Sequence, residues 1–534
     1  MNNADLIVSS LKRAGVTHGF GIPSGNVLPL IEAMRLGGMA FVLTAHEGSA
    51  SFAADVMGRM TGKPGFCIST LGPGATNLAT GVGSAYLDRS PMIAITCNLN
   101  TPLLGRRIQM WIDHHALFAP ITKASLAARS DNVAEIMEEA ITLALTEPMG
   151  PVHIDLPEDV SLSPAQGVVD KNFEIRHIES HASEADLITA ASLIKNAKRP
   201  IAILGSSAMR MRDPSLLKKF VEHHNIPFGS STMAKGMIDE NHALNIGCIE
   251  RGKRQIQRKF IHSTDLVIGL GFDTIEVEYE AWIGSTPLLS VDIEAPDVDK
   301  TVNVVGKMTG NLSNSLERLL SMPSEDNDWS QGELDAHKDT FNRALRPETG
   351  TFTPHQAIDV VREVLPKNGI ITYDVGAHTH QIASQWKTAT PKSCHVTNGW
   401  SSMGIGIPAA IASKIARPDL PVVCLIGDGC FQMTAGELAT IRREKLSIPV
   451  IVLNDKWLSL IQIKQEKRQY AQYGSQVEMS TYDEPPAHYF GVPAVGVDNE
   501  NDLRTAVEKA LLSNGPTVIE AVVDGSHYSD TVFD

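Results

Sequence analysis

None of the six cysteines stands in a C-x-x-C pair; they are scattered at 67, 97, 248, 394, 424 and 430. That spacing speaks against a zinc site and against a disulfide framework, and a reducing cytoplasm is the simplest setting. No run of about 18 apolar residues exists, so no membrane span is expected. The opening MNNADLIVSSLKRAGV lacks a basic start, an apolar core and a cleavage site. It reads as an amphipathic helix rather than a signal peptide. Long basic blocks are missing too. With a net charge of −15 and a pI near 5.6, the chain lacks the clustered Lys and Arg that nucleic-acid phosphates require. Its one basic run, RGKRQIQRKF from Arg251, reads as a solvated helix face, with a ligand-phosphate contact as the lesser alternative.

What is present is a soluble-type composition, 43% apolar and 20% charged, over 534 residues. That length suggests about three domains. Short continuous apolar runs such as PMIAIT (91–96), PIAILG (200–205), DLVIGLG (265–271) and IPVIVLND (448–455) alternate with helical patterns. Such runs fit parallel strands covered on both faces, so the expected class is α/β, each domain a mostly parallel sheet flanked by helices. Polar, turn-rich stretches at 160–185 and 322–350 read as linkers, which gives domains at 1–165, 183–325 and 350–534. The first and third parts share a layout near their ends: a helix, then Gly150-Pro151 or Gly515-Pro516, then a strand. The echo hints at two related sheets.

The most informative stretch is VVCLIGDGCFQMTAGELATIRREKLSIPVIVLNDKW, 422–457. An apolar strand breaks at Gly427-Asp428-Gly429, TAGELATIRREKL reads as a helix with Thr434 as its N-cap, and a second strand ends at Asn454. Ligands of open α/β sheets sit outside the carboxyl ends of strands. Two neighbouring strand ends would therefore each deliver an oxygen ligand, Asp428 and Asn454. One carboxylate, one amide oxygen and a carbonyl suit Mg²⁺ bridging a diphosphate. The glycines admit close backbone approach, and the amides after Gly429, Cys430 first, can face phosphate oxygens.

G-D-G, then 24 residues, then Asn resembles the cofactor signature of thiamine-diphosphate enzymes, and further segments resemble their acetohydroxyacid (acetolactate) synthase-like branch. The family shows Asn-Asn at the end, whereas this chain has Asn454-Asp455. The resemblance implies a pyrimidine, a central and a diphosphate domain, with thiamine diphosphate and Mg²⁺ as cofactors. It makes the Lys456 carbonyl the third metal ligand. It places Gly376, Ala377 and His378 on the diphosphate, Ser401 at the 4′-amino group and Met403 as the wedge beneath the cofactor. It assigns Pro23, Pro73 and Asn77 to the pyrimidine pocket, with Ser24, Gly25, Thr70 and Leu71 toward substrate. Trp457, Leu458 and Leu460 would line the substrate's way in.

Glu47, after the strand FVLTA, is the residue matching the acid that bonds N1′ of the aminopyrimidine. Alone it reads as a helix-start acid; the downstream signature turns it into a proton relay. Gln109, His114 and His115 are candidate substrate-side residues, the histidines as possible proton donors. The implied activity is C–C bond formation or cleavage next to a carbonyl. Decarboxylation of a 2-oxoacid, cyclic-diketone hydrolysis, 2-hydroxyacyl-CoA cleavage and a non-catalytic regulatory paralogue remain alternatives. The family's Arg after a central strand is missing from GLGFDTIEVEYEAW, 269–282. FAD stays open, since GLGFDT lacks the third glycine of a dinucleotide fingerprint. A homodimer or dimer of dimers, with the active site between subunits, is implied. No nucleic-acid or membrane partner is expected, and the sequence leaves a regulatory subunit open.

Overall fold

The computed structural model describes residues 1–167, 180–276, 282–324, 326–477 and 485–533. Strands and helices alternate along these residues. In the first domain the strands are β1 His18–Gly21, β2 Ala40–Leu43, β3 Gly65–Ser69, β4 Met92–Asn98, β5 Ala124–Ala127 and β6 Pro151–Pro157. They form one parallel sheet in the order β2-β1-β3-β4-β6-β5. Every residue of β3, β4 and β6 is buried, which is why their sequences are continuous apolar runs rather than alternating ones.

The central domain holds β7 Pro200–Leu204, β8 Phe228–Ser230, β9 Asn245–Cys248, β10 Leu266–Leu270, β11 Leu288–Asp292 and β12 Val304–Thr309. These strands are also parallel, in the order β12-β11-β10-β7-β8-β9. The third domain has β13 Ile370–Tyr373, β14 Cys394–His395, β15 Val422–Gly427, β16 Pro449–Asn454, β17 His488–Tyr489, β18 Val492–Val497 and β19 Thr517–Val522. Its order is β14-β13-β15-β16-β19-β18-β17, and only β17 runs antiparallel to its neighbour.

With β17 set aside, the third sheet repeats the first: second, first, third, fourth, sixth, fifth strand. The Gly-Pro echo marks the same place in both, the start of β6 and the approach to β19. The two domains also share a core. Phe20, Ala50, Ala53 and Val56 pack in one cluster with Ile405, Ile411, Ile426 and Phe431. A continuous apolar interface fixes the domains against each other more firmly than a linker does. The central domain buries a separate core of its own.

Two local readings change. The stretch 322–350 carries the helix Gln331–Ala344, started by the Ser330 side chain accepting the Glu333 N–H. Leu334 and Phe341 are its buried residues; five acids and bases around them mask the apolar stripe. Of the stretch 160–185, residues 168–179 lie outside the described residues. Thr434 is not an N-cap. One helix runs Asp428–Thr434 and another Glu437–Arg443, with the break at Ala435-Gly436, where glycine weakens a continuous helix. Among the described residues no helix is long and apolar enough to cross a membrane.

Candidate active site

The carboxyl ends of β15 and β16 bring Asp428 and Asn454 together. Asp428 is buried, and its Oδ2 accepts the Lys456 N–H at 2.9 Å. The same N–H lies 3.2 Å from Asn454 Oδ1. On the far side Asn454 Nδ2 donates to Glu520 Oε1 at 2.7 Å. Glu520, on the neighbouring β19, thus fixes which end of the amide faces Asp428: the oxygen. Burial, and after it the charge of Asp455, push the Asp428 carboxyl up to about 8, a balance that a divalent cation reverses. Among the described residues no three His, Cys, Asp or Glu side chains cluster as a metal site. A metal held here would lean on amide, carbonyl and ligand-phosphate oxygens, as Mg²⁺ does. The donor set fits.

Lys456 departs from expectation in one respect. It adopts a left-handed φ of 65°, and its carbonyl accepts the Val477 N–H at 2.8 Å, so only its second lone pair is open. Asp455, the departure from Asn-Asn, turns away and serves the next helix. It accepts the Trp457 N–H at 3.1 Å and the Ser459 hydroxyl at 2.5 Å.

The glycines of G-D-G are set by crowding. A Cβ at Gly427 would stand 2.9 Å from the His378 ring, and one at Gly429 2.7 Å from Leu458 and 3.2 Å from Met403. The structure therefore gathers Met403, Gly429 and Leu458 at one spot. His378 is buried, accepts the Gly427 N–H at 3.3 Å, and is pushed down to about 3 by burial, so it is neutral. Cys430 bonds the Val375 carbonyl through Sγ at 3.1 Å. Ala377 and Leu460 join Ile463 and Tyr528 in a small apolar cluster. Trp457 is half-buried beside them in sequence, bridged to Gln476.

The Met403 loop is pinned from below by Asp374, at the end of β13. Its buried carboxylate accepts the N–H groups of Gly404 at 2.9 Å and Gly406 at 2.8 Å. Gly376, the start of the next helix, is held by Thr379 at 2.7 Å. Ser401 lies in the same loop with a left-handed φ of 51°. The Thr434 hydroxyl is buried without a partner, and its methyl reaches toward Gly404.

In the first domain Glu47 opens the helix Glu47–Thr61 right after β2. It is buried, and Asn77, on the helix Pro73–Leu87, donates to its Oε2 at 3.0 Å. A Cβ at Gly74 would sit 3.2 Å from Oε1, so glycine keeps that oxygen open. His46, not Glu47, caps the helix. Nearby, Asn26 ties two loops to β4: its Oδ1 accepts from Ser24 at 2.6 Å and Thr70 at 2.9 Å, and its Nδ2 donates to the Cys97 carbonyl at 2.7 Å. Pro23, Gly25 and Pro73 are exposed along these loops, and Leu71 is buried.

His114 is buried with both ring nitrogens engaged. Nδ1 lies 2.9 Å from Asp155 Oδ1, and Nε2 accepts the Gly72 N–H at 3.2 Å. It holds the Gly72-Pro73 loop in place, which leaves no nitrogen for a substrate proton. His115 is more exposed, bonds Ser125 at 2.7 Å, and lines a cleft of about 720 Å³ with Asp155 and Trp111. Gln109 is exposed on the loop whose next residue, Met110, packs against Gly72. Asn26, Asp374, Glu437 and Glu520 have no signal in any local motif.

Comparison with known proteins finds matches along nearly the whole chain. Residues 1–117, 187–319 and 374–521 match the N-terminal TPP binding, central and C-terminal TPP binding domains of thiamine pyrophosphate enzymes. A probable acetolactate synthase large subunit of Methanococcus aeolicus is 30% identical, over 98% of this chain and 92% of that protein. The acetolactate synthase large subunit of Lactococcus lactis is 29% identical, over 99% and 93%. The isozyme 2 large subunit of Escherichia coli is 27% identical, over 98% and 96%.

Proposed function

Because the chain belongs to the thiamine pyrophosphate enzyme family, in its acetolactate synthase branch, we propose that it is an Mg²⁺-dependent carboligase or lyase. It would make or break a C–C bond next to a carbonyl, acting on 2-oxoacids or related compounds. The observation that carries this reading is the pair of buried acids. Asp428 lies beside an amide oxygen held by Glu520, and Glu47 is held by Asn77.

Asp428 and Asn454 would hold the metal and, through it, the diphosphate, with Met403 beneath the ring system. Bound thiamine diphosphate supplies a nucleophilic carbon and an electron sink. Glu47 would hold or release a proton at the pyrimidine N1′, and Asn77 occupies one of its oxygens, leaving the other for that proton. Pure binding needs no such acid, which argues against a regulatory paralogue. The active unit we propose is a homodimer or dimer of dimers, in a reducing cytoplasm that suits six free, buried cysteines.

The stretch Gly269–Glu276 carries no Arg to take a second 2-oxoacid, which favours a broader lyase as the second reading. Incubation with pyruvate, Mg²⁺ and thiamine diphosphate separates the readings. Acetolactate supports the carboligase, and free acetaldehyde alone makes it a decarboxylase. Cleavage confined to a cyclic diketone or a 2-hydroxyacyl-CoA makes it a lyase.

A further inference from the structure

The central sheet reverses direction of growth at β7 and β10: β8 and β9 lie to one side, β11 and β12 to the other. Such a switch point opens a crevice at the carboxyl ends of the strands, where the first loop's amides take a nucleotide phosphate. Here that loop is Gly205-Ser206-Ser207. It touches the loop after β10, since a Cβ on Gly205 would stand 2.3 Å from Phe272 Cα and 2.4 Å from the Gly271 oxygen.

The donors a phosphate would use are already taken. The Ser206 N–H donates to Glu276 Oε2 at 2.6 Å, and the Ser231 hydroxyl, beyond β8, donates to Oε1 at 2.5 Å. The turn Thr274–Glu276 carries this side chain inward, where it is buried. Burial pushes its carboxyl up to about 8, against the pull of the two hydrogen bonds.

The Ser206–Glu276 bond joins a wall residue of one chamber to a wall residue of another. The larger, about 520 Å³, is lined by Ser206, Ser207, Asp292 and Asn311. The smaller, about 110 Å³, is lined by Glu276 itself, Trp282 and Ser401, together with Arg251, Arg254 and Arg258. Part of the basic run is therefore a chamber wall: Arg251, Arg254 and Arg258 are half-buried along it, while Gln255 and Lys259 stay exposed. A dinucleotide phosphate at the switch point would need the Ser206 N–H and the Ser231 hydroxyl, and Glu276 holds both.

We infer that Glu276 is an internal stand-in for a ligand phosphate, and that the central domain binds no dinucleotide, FAD included. The residues present do not fit a flavin, and the activity proceeds without one. This inference is read by colour and binding rather than turnover, so it stands or falls apart from the carboligase reading.

The test uses the full-length purified chain. Its visible absorbance is recorded, and FAD and ADP are each titrated into it by calorimetry. The expected result is a colourless protein that binds neither. Glu276→Ala should bind ADP at least about tenfold more tightly than the weakest binding the titration detects, as an amide and a hydroxyl are released to a phosphate. Flavin that copurifies with the unaltered chain, or FAD or ADP binding to it, overturns the inference. So does a folded Glu276→Ala chain that binds ADP no better. If the alanine chain does not fold, Glu276→Ser makes the same comparison, and the unaltered chain still decides the flavin question.

Discussion

The carboxylate of Glu437, in the third domain, accepts the backbone N–H of Ala45, in the first, at 2.9 Å. The same oxygen takes the His46 N–H at 3.2 Å, so the two residues before Glu47 are held from across the chain. The reverse tie exists as well. Asp88, in the first domain, accepts the Gly399 N–H at 2.8 Å, and Thr80 accepts the Trp400 indole N–H at 3.2 Å. Each domain therefore fixes a loop of the other next to the proposed site residues, Glu47 in one case and Ser401 and Met403 in the other.

Glu437→Ala leaves the Ala45 and His46 amides without their acceptor. The expected cost is about 1–3 kcal/mol of stability. Because a displacement of about 1 Å at a reacting group can cost about 100-fold in rate, kcat should fall far more than thiamine-diphosphate content. Chemical denaturation and cofactor analysis of the same sample check both.

Asp374→Ala removes the acceptor of the Gly404 and Gly406 amides that straddle Met403. Stability should drop by about 1–3 kcal/mol, and kcat should fall even at saturating cofactor. Unchanged kcat would mean that the loop holds its shape without Asp374.

Glu520→Ala frees the Asn454 amide to rotate. Partners one step removed from a metal ligand typically matter about 10–100-fold in metal affinity. The Mg²⁺ concentration for half-maximal activity should rise by that factor, while the fold, followed by circular dichroism, stays intact.

His153 and His395 are buried and held down to about 3 by that burial, from an ordinary value of 6.5. Between these limits the unfolded chain binds protons that the folded chain refuses, so stability rises with pH. Acidification below 6.5 should therefore cost about 1.4 kcal/mol per pH unit for each histidine. Asp428 and Glu276, held up to about 8, give the opposite slope, so thermal unfolding midpoints of the unaltered chain and of His395→Gln are compared from pH 7 downward. A difference that does not change with pH would contradict the buried, neutral assignment.

The parallel class and the Asp428–Asn454 pair were legible because both are local. Apolar runs report burial on two faces, and 24 residues of strand-helix-strand set the ligand spacing. The groups that orient them were not legible. Glu437 lies 392 residues from Ala45, and Glu520 66 residues from Asn454, and no pattern in one chain links residues that far apart. His114 looked available beside His115; only the fold shows Asp155 and Gly72 on its two nitrogens. The helix Gln331–Ala344 was hidden because its short apolar stripe is outnumbered by charge. Even Asp455, the mismatch in the motif, needed the structure to explain it, as the acceptor of the Trp457 N–H and the Ser459 hydroxyl.

The central claim is that Glu47 acts as a proton relay on a cofactor held by Asp428 and Asn454. Glu47→Gln tests it most directly, with thiamine-diphosphate content and turnover measured on one preparation. The account predicts cofactor bound as in the unaltered enzyme and kcat lowered by about 100-fold or more. Undiminished turnover in that variant would contradict it.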